Sequence, residues 1–557
     1  MNLKNNFLTI FYILLFTLYQ ISLVVKGGTT WDDEQLINTS SRIINKFILF
    51  TDDPSNPFIS EFVSNYEFYG YFVLIPIFLL SKNQFLSDLF VYITNNIFGL
   101  TIKNEVEIEY YLRYISLVVY VSIVLFIIYN IYSKIQNSQN AFYFIVLITL
   151  VPSFSGHMLF NVKDIPFTMQ STLSIIYFLY ILQNFDSLKI YQTLISGLLF
   201  GFLLLTRLNG ITILLACFVF SIIYSYLKRL EFLKIIKFWI ISSFSTAIAF
   251  ILGTPSAWQK PRLWLSQAIE TQFNIVVDSY VLTNGLFFSA SNLPNDHLLN
   301  VFFYKLPLVF HLSLIITIYF FFKSKFRKIM INNLILLFSI YFLIGVNIGF
   351  YLFTPISYDG IRQFLFLIPF YCIVLVETYH HLIFRKAMKY LVGIFFVSYL
   401  VWTQYGLSEF KYIYFNEFVD KENISTDCNK IGGCGDWSTD YWGYSGKSLI
   451  NLYQSENQSI DKIYFCEPTN VFNTFSEKDK ENDINRIIRR NDTFFIAYLH
   501  RPMFISDILL DKNNICGRIQ NRLNIECDGY IEFRTLLRGE PVSLSYVDKC
   551  EVKWRTN

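Results

Sequence analysis

The chain has 557 residues, of which 54% are hydrophobic and only 16% are charged. A soluble protein carries about 25% charged residues, so this composition excludes an ordinary cytosolic enzyme, a disordered chain and a coiled coil. The formal net charge of +3 is too small to indicate a nucleic-acid-binding protein. With 59 Phe and 38 Tyr, the composition is typical of a protein that crosses a membrane many times.

Apolar runs recur along most of the chain, starting at its N-terminus. A membrane-spanning helix needs roughly 20 apolar residues. Eleven runs approach this length, near residues 7–25, 112–132, 141–155, 167–183, 191–206, 209–227, 236–253, 305–322, 333–353, 363–379 and 389–404. The apolar stretch 68–80 is shorter and is interpreted as an interfacial or re-entrant segment. The sequence therefore predicts a polytopic α-helical membrane protein with eleven transmembrane helices.

Basic residues in the short loops indicate the orientation, because Lys and Arg accumulate on the cytoplasmic side. One alternate set of loops, together with the N-terminus, carries fourteen Lys and Arg, and the opposite set carries five. We therefore expect a cytoplasmic N-terminus and an extracytoplasmic tail, 405–557, after a transmembrane module, 1–404. The outer loops of that module are then 26–111, 156–166 and 255–304. The expected location is the inner (plasma) membrane of a bacterium, with the endoplasmic reticulum membrane as the alternative.

Cysteine usage agrees with an extracytoplasmic tail. Six of the eight cysteines fall there: Cys428, Cys434, Cys466, Cys516, Cys527 and Cys550. An even number in an oxidising compartment predicts disulfide bonds, although six cysteines allow fifteen connectivities. A metal site is the competing interpretation, but the tail has no Cys-x-x-Cys pair and few histidines.

Ionisable residues are almost absent from the centres of the predicted spans and gather at their outer ends and in the outer loops. A charge at mid-bilayer costs about 2.5–3.5 kcal/mol. Transporters accept that cost because their coupling sites lie near the midplane of the membrane. The charge distribution therefore favours a site on the outer surface over a path through the membrane.

The first outer loop carries three consecutive acidic residues, Asp32, Asp33 and Glu34, before an amphipathic stretch. One interpretation is structural: Thr30 and Asp33 would form a capping pair, and the acidic residues would complement the dipole of the following helix. The other is functional: a carboxylate would be held at the membrane surface as a general base or as a metal ligand.

The loop after the third span contains His157, Asn161, Lys163 and Asp164 and ends at Pro166. Asp164 could simply cap the next helix, and Lys163 could simply extend to the membrane interface. Alternatively, a cation beside a carboxylate suits a phosphate leaving group next to an acceptor hydroxyl. Two further outer cations, Arg207 and Arg362, offer the bidentate geometry that phosphate oxygens favour.

Taken together, these motifs resemble the GT-C membrane glycosyltransferases. The acidic pair, the Asn-x-Lys-Asp-x-Pro-Phe loop 161–167 and the Tyr-Asp-Gly-x-Arg loop 358–362 are most similar to the phospholipid-carrier-dependent branch related to protein O-mannosyltransferases. Asp440-Tyr441-Trp442-Gly443 is similar to a motif just past the last span of that branch. The resemblance covers roughly residues 29–445.

The resemblance implies transfer of a sugar from a polyprenyl- or dolichyl-phosphate donor on the outer face. The catalytic acidic pair of the family maps onto Asp33 and Glu34, with Asp32 as a third candidate and Asp164 as an assisting carboxylate. Lys163, Arg207 and Arg362 would bind the donor phosphate. Candidate substrate-binding residues are His157, Asn161, Tyr358, Asp359, Asp440, Tyr441 and Trp442. The only cofactor in question is a divalent cation at Asp33 and Glu34.

The tail alternates β-like runs, near 461–466, 493–499, 530–534 and 542–548, with a helical stretch at 445–456. We expect a small mixed α/β domain. The expected partners are membrane lipids, the lipid-linked donor and an acceptor that the sequence leaves open, and the transferred sugar is a hexose or a pentose. The competing functions are a flippase or transporter of lipid-linked sugars and a non-catalytic scaffold.

Overall fold

The fold is taken from a computed structural model of the chain. It describes residues 3–45, 71–98, 105–258, 260–273, 280–283, 285–323, 327–328, 332–358, 360–381, 386–420, 424, 437, 439–456, 463–465, 470–474, 494–499 and 525–552. All structural statements refer to these residues.

Helices dominate residues 3–404, and two short strands interrupt them. The helices of the first half are α1 (Leu3–Val24), α2 (Asp33–Ile43), α3 (Tyr71–Ser81), α4 (Gln84–Ile93), α5 (Glu105–Ile135), α6 (Ser138–Leu150), α7 (Pro152–His157), α8 (Asp164–Gln183), α9 (Ile190–Thr206), α10 (Gly210–Lys228) and α11 (Phe232–Leu252). The second half continues with α12 (Pro261–Phe273), β1 (Tyr280–Thr283), β2 (Leu286–Ser289), α13 (His297–Lys305), α14 (Leu308–Phe321), α15 (Leu334–Phe353), α16 (Ile368–His381) and α17 (Lys386–Gln404).

The chain is a multi-pass membrane protein with a helical bundle. Within the described ranges, seven helices are long and apolar enough to cross a membrane, or nine if each of two bent pairs forms one span. Each of the eleven predicted runs contains a helix, but α6 and α9 are short for a span, so the count of eleven stays a prediction. The predicted interfacial segment 68–80 corresponds to α3, and the chain bends by 69° between α3 and α4.

Helix α8 lies inside the bundle, and 89% of its most apolar 18-residue stretch is buried. It begins after Asn161, whose side-chain oxygen accepts hydrogen bonds from the backbone N–H groups of Lys163 (3.2 Å) and Asp164 (2.9 Å). Asn161 thereby satisfies N–H groups that have no partner within the helix. The bundle places the start of α8 beside the end of α9 and the loop before α2.

At the other end of the bundle, the buried carboxylate of Glu377 has its hydrogen bonds satisfied by three side chains. It accepts hydrogen bonds from Tyr132 (2.6 Å), Asn140 (3.1 Å) and Asn333 (2.7 Å). These donors belong to α5, α6 and the residue before α15, so Glu377 links four elements. This network links helices and lies far along the bundle from the carboxylates of the loops before α2 and α8.

The tail contains α18 (Gly446–Ser455), β3 (Ile463–Phe465), α19 (Asn470–Asn473), β4 (Phe494–Leu499), β5 (Ile525–Leu537) and β6 (Glu540–Val552). The strands form one sheet in the order β3-β4-β6-β5, with β3 and β4 parallel and the other pairs antiparallel. The prediction of a small mixed α/β region is therefore confirmed. The buried apolar residues described between Leu407 and Tyr444 pack into the main core of the bundle, as do Leu537, Val542 and Leu544 of the sheet. Other apolar residues of α18 and the sheet form a smaller core, so the division at residue 404 stays a prediction.

Candidate functional site

The first acidic loop joins α1 to α2 and is held from both sides. The predicted pairing of Thr30 with Asp33 is present: one carboxylate oxygen of Asp33 accepts the backbone N–H of Thr30 (2.8 Å) and its hydroxyl (2.6 Å). The hydroxyl of Tyr114 donates to the same oxygen, and the guanidinium of Arg113 donates to the other at 3.1 Å. A carboxylate has about four lone-pair sites. Asp33 is fully buried and uses this capacity within the fold.

Asp32 lies in a different environment, although it is the neighbouring residue. Its carboxylate forms a buried ion pair with the ammonium group of Lys163 and lies 3.7 Å from a guanidinium nitrogen of Arg362. Asp32 thus joins the loop before α2 to two of the three cations that were predicted to bind phosphate.

Asp164, the first residue of α8, forms the second carboxylate–cation pair. One of its oxygens lies 2.5 Å from the guanidinium of Arg207, the residue that follows α9, and the other accepts a hydrogen bond from the amide of Asn161 at 2.9 Å. The position of Asp164 in the first turn also places a negative charge where the helix dipole stabilises it.

Basic and acidic side chains alternate in this group. Arg113 pairs with Asp33, Lys163 and Arg362 face Asp32, and Arg207 pairs with Asp164. These side chains are mostly buried, where electrostatic interactions are stronger than in water. The group therefore presents basic side chains of the kind that bind phosphate oxygens, next to carboxylates.

Arg362 is held by aromatic rings as well as by its charge. The carbon of its guanidinium lies 4.4 Å from the ring centre of Trp442 and 4.7 Å from that of Tyr358. Both distances are within the range of cation–π interactions. Two of the predicted substrate-binding residues therefore contact a predicted phosphate-binding residue.

His157, another predicted substrate-binding residue, is buried behind this group. Its Nδ1 lies 2.7 Å from the carbonyl oxygen of Ser153, which can only accept, so Nδ1 carries the hydrogen. Nε2 of the neutral ring then accepts a hydrogen bond from the hydroxyl of Tyr441 at 2.8 Å. Burial lowers the pKa of His157 to about 4, against the opposing effect of the hydrogen bond to Ser153. The ring is neutral at physiological pH.

This shift predicts a loss of stability in acid. Between pH 6.5 and about 4, His157 of the unfolded chain takes up a proton while the buried ring does not, so the free energy of unfolding falls as the pH drops through that window. Thermal unfolding of the detergent-solubilised protein, measured from pH 7.5 to 4, should show this loss. The variant His157→Gln should show a weaker dependence over the same range, and an unchanged dependence would contradict the assignment.

Asp440 makes its described hydrogen bonds away from these cations. The carboxylate of Asp440 accepts hydrogen bonds from the hydroxyl of Tyr412 and from the backbone N–H groups of Tyr444 (3.0 Å) and Ser445 (2.8 Å), so it holds its own loop in shape. Glu34 is exposed. Asp359, Cys428, Cys434, Cys466 and Cys516 lie outside the described residues.

No described group of three or more His, Cys, Asp or Glu side chains has the arrangement of a metal site. Asp32, Asp33 and Asp164 each have a basic side chain as a partner, and a metal ion would have to displace or share those partners. The predicted metal-binding role of Asp33 and Glu34 stays a prediction.

Arg113 and Tyr114 lie in α5 and hold Asp33, a role that was not predicted from the sequence. The available signal was an arginine at the end of an apolar run, since such a charge usually has a buried partner. The pairing of residues 442–444 with the acidic loop was not predicted either. Trp31 donates its backbone N–H to the carbonyl oxygen of Trp442, and Gly28 does the same to Tyr444, both at 3.2 Å.

No protein-family profile and no curated protein sequence matches the chain. Solved structures of the Archaeoglobus fulgidus oligosaccharyltransferase are similar to it. The apo form is 12% identical in sequence, with a TM-score of 0.41, and the match covers 73% of this chain and 56% of the other. The complex with Zn and sulfate is 13% identical, with a TM-score of 0.39, and the match covers 72% of this chain and 53% of the other. The complex of the archaeal oligosaccharyltransferase AglB with an inhibitory peptide and a dolichol-phosphate is 12% identical, with a TM-score of 0.39, and the match covers 73% of this chain and 56% of the other.

The chain thus spans about half the length of the proteins it matches. The functional argument therefore rests on the geometry of the site.

Proposed function

We propose that the chain is a membrane glycosyltransferase that moves a sugar from a polyprenyl- or dolichyl-phosphate donor to an acceptor on the extracytoplasmic face. The observation that carries the proposal is the group of two buried carboxylates in contact with three basic side chains at one end of the helical bundle. Basic side chains can bind the phosphodiester of such a donor, and a neighbouring carboxylate can accept the proton of an acceptor hydroxyl.

The groups present match the needs of such a reaction. The acceptor oxygen attacks the anomeric carbon, the bond from that carbon to the phosphate oxygen breaks, and the proton of the acceptor hydroxyl goes to a carboxylate. The phosphate gains negative charge as it leaves, and Lys163, Arg207 and Arg362 would stabilise that charge. The reaction requires no strong general acid, because phosphate is a good leaving group.

We assign the proton-accepting role to Asp32 rather than to Asp33. The hydrogen-bonding capacity of Asp33 is used by Thr30, Arg113 and Tyr114, whereas Asp32 faces the cations that would bind the donor phosphate. Asp164 would assist by holding Arg207 in place. Asp33 then acts as the positioning residue of the acidic loop.

The function can be tested by offering the purified, membrane-reconstituted protein a panel of polyprenyl-phosphate sugars, hexoses and pentoses, with membrane extract as the source of acceptor. Free polyprenyl phosphate should be released from one or more of them. The control is the same reaction without acceptor. Movement of an intact lipid-linked sugar between leaflets, with no release, would identify a flippase instead and would overturn the proposal.

We further propose that the tail is extracytoplasmic and contains disulfide bonds. The backbone register of the β5–β6 pair places Cys527 directly opposite Cys550. Opposed positions in an antiparallel pair have Cα atoms about 4.5–5.5 Å apart, which is within the disulfide range. Peptide mapping without reduction should find these two cysteines in one linked fragment, and a maleimide that cannot cross membranes should label the reduced tail of intact cells. Free thiols at both positions in protein isolated under thiol-blocking conditions would contradict the bond.

A further inference from the structure

Residues 439–445 form a segment that follows the last long helix of the bundle. Two of its residues, Tyr441 and Trp442, contact each of the three parts of the candidate site. The hydroxyl of Tyr441 donates to His157 of the second loop at 2.8 Å. The backbone carbonyl of Trp442 accepts the N–H of Trp31, the residue before Asp32, at 3.2 Å. The ring of Trp442 covers the guanidinium of Arg362 at 4.4 Å.

The segment is itself rigidly held, so it can serve as a fixed support. Asp440 accepts two backbone hydrogen bonds from residues 444 and 445, and the ring of Trp442 packs edge-to-face on that of Phe160, with centroids 5.5 Å apart. Gly28 lies so close to this segment that a Cβ atom would come within 2.5 Å of the carbonyl oxygen of Tyr444. The segment and the acidic loop therefore form one packed unit.

This unit contributes a ring to the surroundings of Arg362. The Arg362 side chain is long and has many rotamers; one of its nitrogens lies 3.7 Å from Asp32, and the rings of Trp442 and Tyr358 lie 4.4 Å and 4.7 Å from its guanidinium carbon. An aromatic ring over the guanidinium plane restricts the rotation that such a contact leaves open, because the ring attracts the cation through its face.

We propose that Trp442 is a positioning residue that orients the Arg362 guanidinium toward Asp32 and the donor phosphate. The inference rests on the proposed function and deepens it: affinity for the lipid phosphate depends on a ring supplied by the segment after the last helix of the bundle. Trp442 acts through Arg362, not by contact with the sugar.

Phe is the informative replacement at this position. The indole N–H of Trp442 is buried and has no hydrogen-bond acceptor among the described residues. The variant Trp442→Phe therefore keeps an aromatic face over Arg362 without breaking a hydrogen bond. The variant Trp442→Ala removes the face.

The test measures binding of polyprenyl phosphate, without sugar or acceptor, to the full chain in nanodiscs. Trp442→Ala should weaken binding by about tenfold and Trp442→Phe by less than about threefold, as expected for a desolvated cation–π contact. In an Arg362→Gln background, Trp442→Ala should cause no further loss. Trp402→Ala, which changes an exposed tryptophan of α17, is the control and should bind as the wild type does.

The outcomes separate the two proposals. If Arg362→Gln weakens binding but Trp442→Ala does not, or if Trp442→Ala causes the same loss with and without Arg362, the positioning role is wrong while the proposed function stands. If the folded wild-type protein does not bind polyprenyl phosphate, the proposed function itself is wrong. Thermal unfolding of each variant shows whether a loss of binding reflects a loss of folded protein.

Discussion

Replacing Asp32 with Asn is expected to reduce the turnover of sugar transfer by about 10²–10⁴-fold, the range for removal of a general base. Asn has nearly the shape of Asp but cannot accept the proton of the acceptor hydroxyl. It also loses the charge that pairs with Lys163 and that faces Arg362 at 3.7 Å. The measurement is kcat for polyprenyl phosphate release at saturating donor, with the binding of polyprenyl phosphate determined separately.

A control and a competing variant make the Asp32 prediction specific. Asp186→Asn removes an exposed carboxylate from a short turn after α8, at the end of that helix opposite to Asp164, and should leave kcat unchanged. If Asp32→Asn retains more than about a tenth of the wild-type kcat, Asp32 is not the base. If Asp33→Asn abolishes transfer with no loss of thermal stability, the family-based assignment to Asp33 is the better one.

Replacing Asp33 with Ala is expected to destabilise the fold by about 3–5 kcal/mol, the usual cost of removing one partner of a buried ion pair. The change leaves the guanidinium of Arg113, which is 2% exposed, without this carboxylate. It also removes the acceptor for the hydrogen bonds from Thr30 and Tyr114. Thermal unfolding in detergent should show a marked decrease in midpoint.

The double variant Asp33→Ala/Arg113→Met tests whether the loss comes from the stranded arginine. Because it removes the charge together with its partner, it should be more stable than Asp33→Ala alone. An Asp33→Ala protein that unfolds within about 1 kcal/mol of the wild type would show that Asp33 is not needed for packing.

Much of the architecture could be predicted from the sequence because it depends on local composition. Apolar runs of sufficient length form helices in a membrane, since every backbone hydrogen bond must be satisfied within the segment. The runs predicted in the tail correspond to α18 and to strands β3, β4, β5 and β6, because short apolar runs bounded by polar residues also form local structure. The apolar stretch 68–80 is too short to span a membrane, and the chain bends after it, between α3 and α4.

The candidate site could be predicted only in part. The sequence indicated which side chains carry charge near the ends of the helices, and the structure brings Asp32, Lys163, Asp164, Arg207 and Arg362 together. The partners within the group were not predictable, because they lie up to 330 residues apart in the chain, as the Asp32–Arg362 contact does.

The sequence by itself determined that this is a polytopic helical membrane protein with few charges at the centres of its spans, because hydrophobicity and charge are properties of each residue and its near neighbours. Only the tertiary structure decided which of three adjacent acidic residues faces the cations. Asp32 and Asp33 are next to each other, and their side chains leave the backbone in different directions, so Arg113 and Tyr114 of α5 engage Asp33 while Lys163 engages Asp32. That division depends on helix packing, which no local pattern encodes.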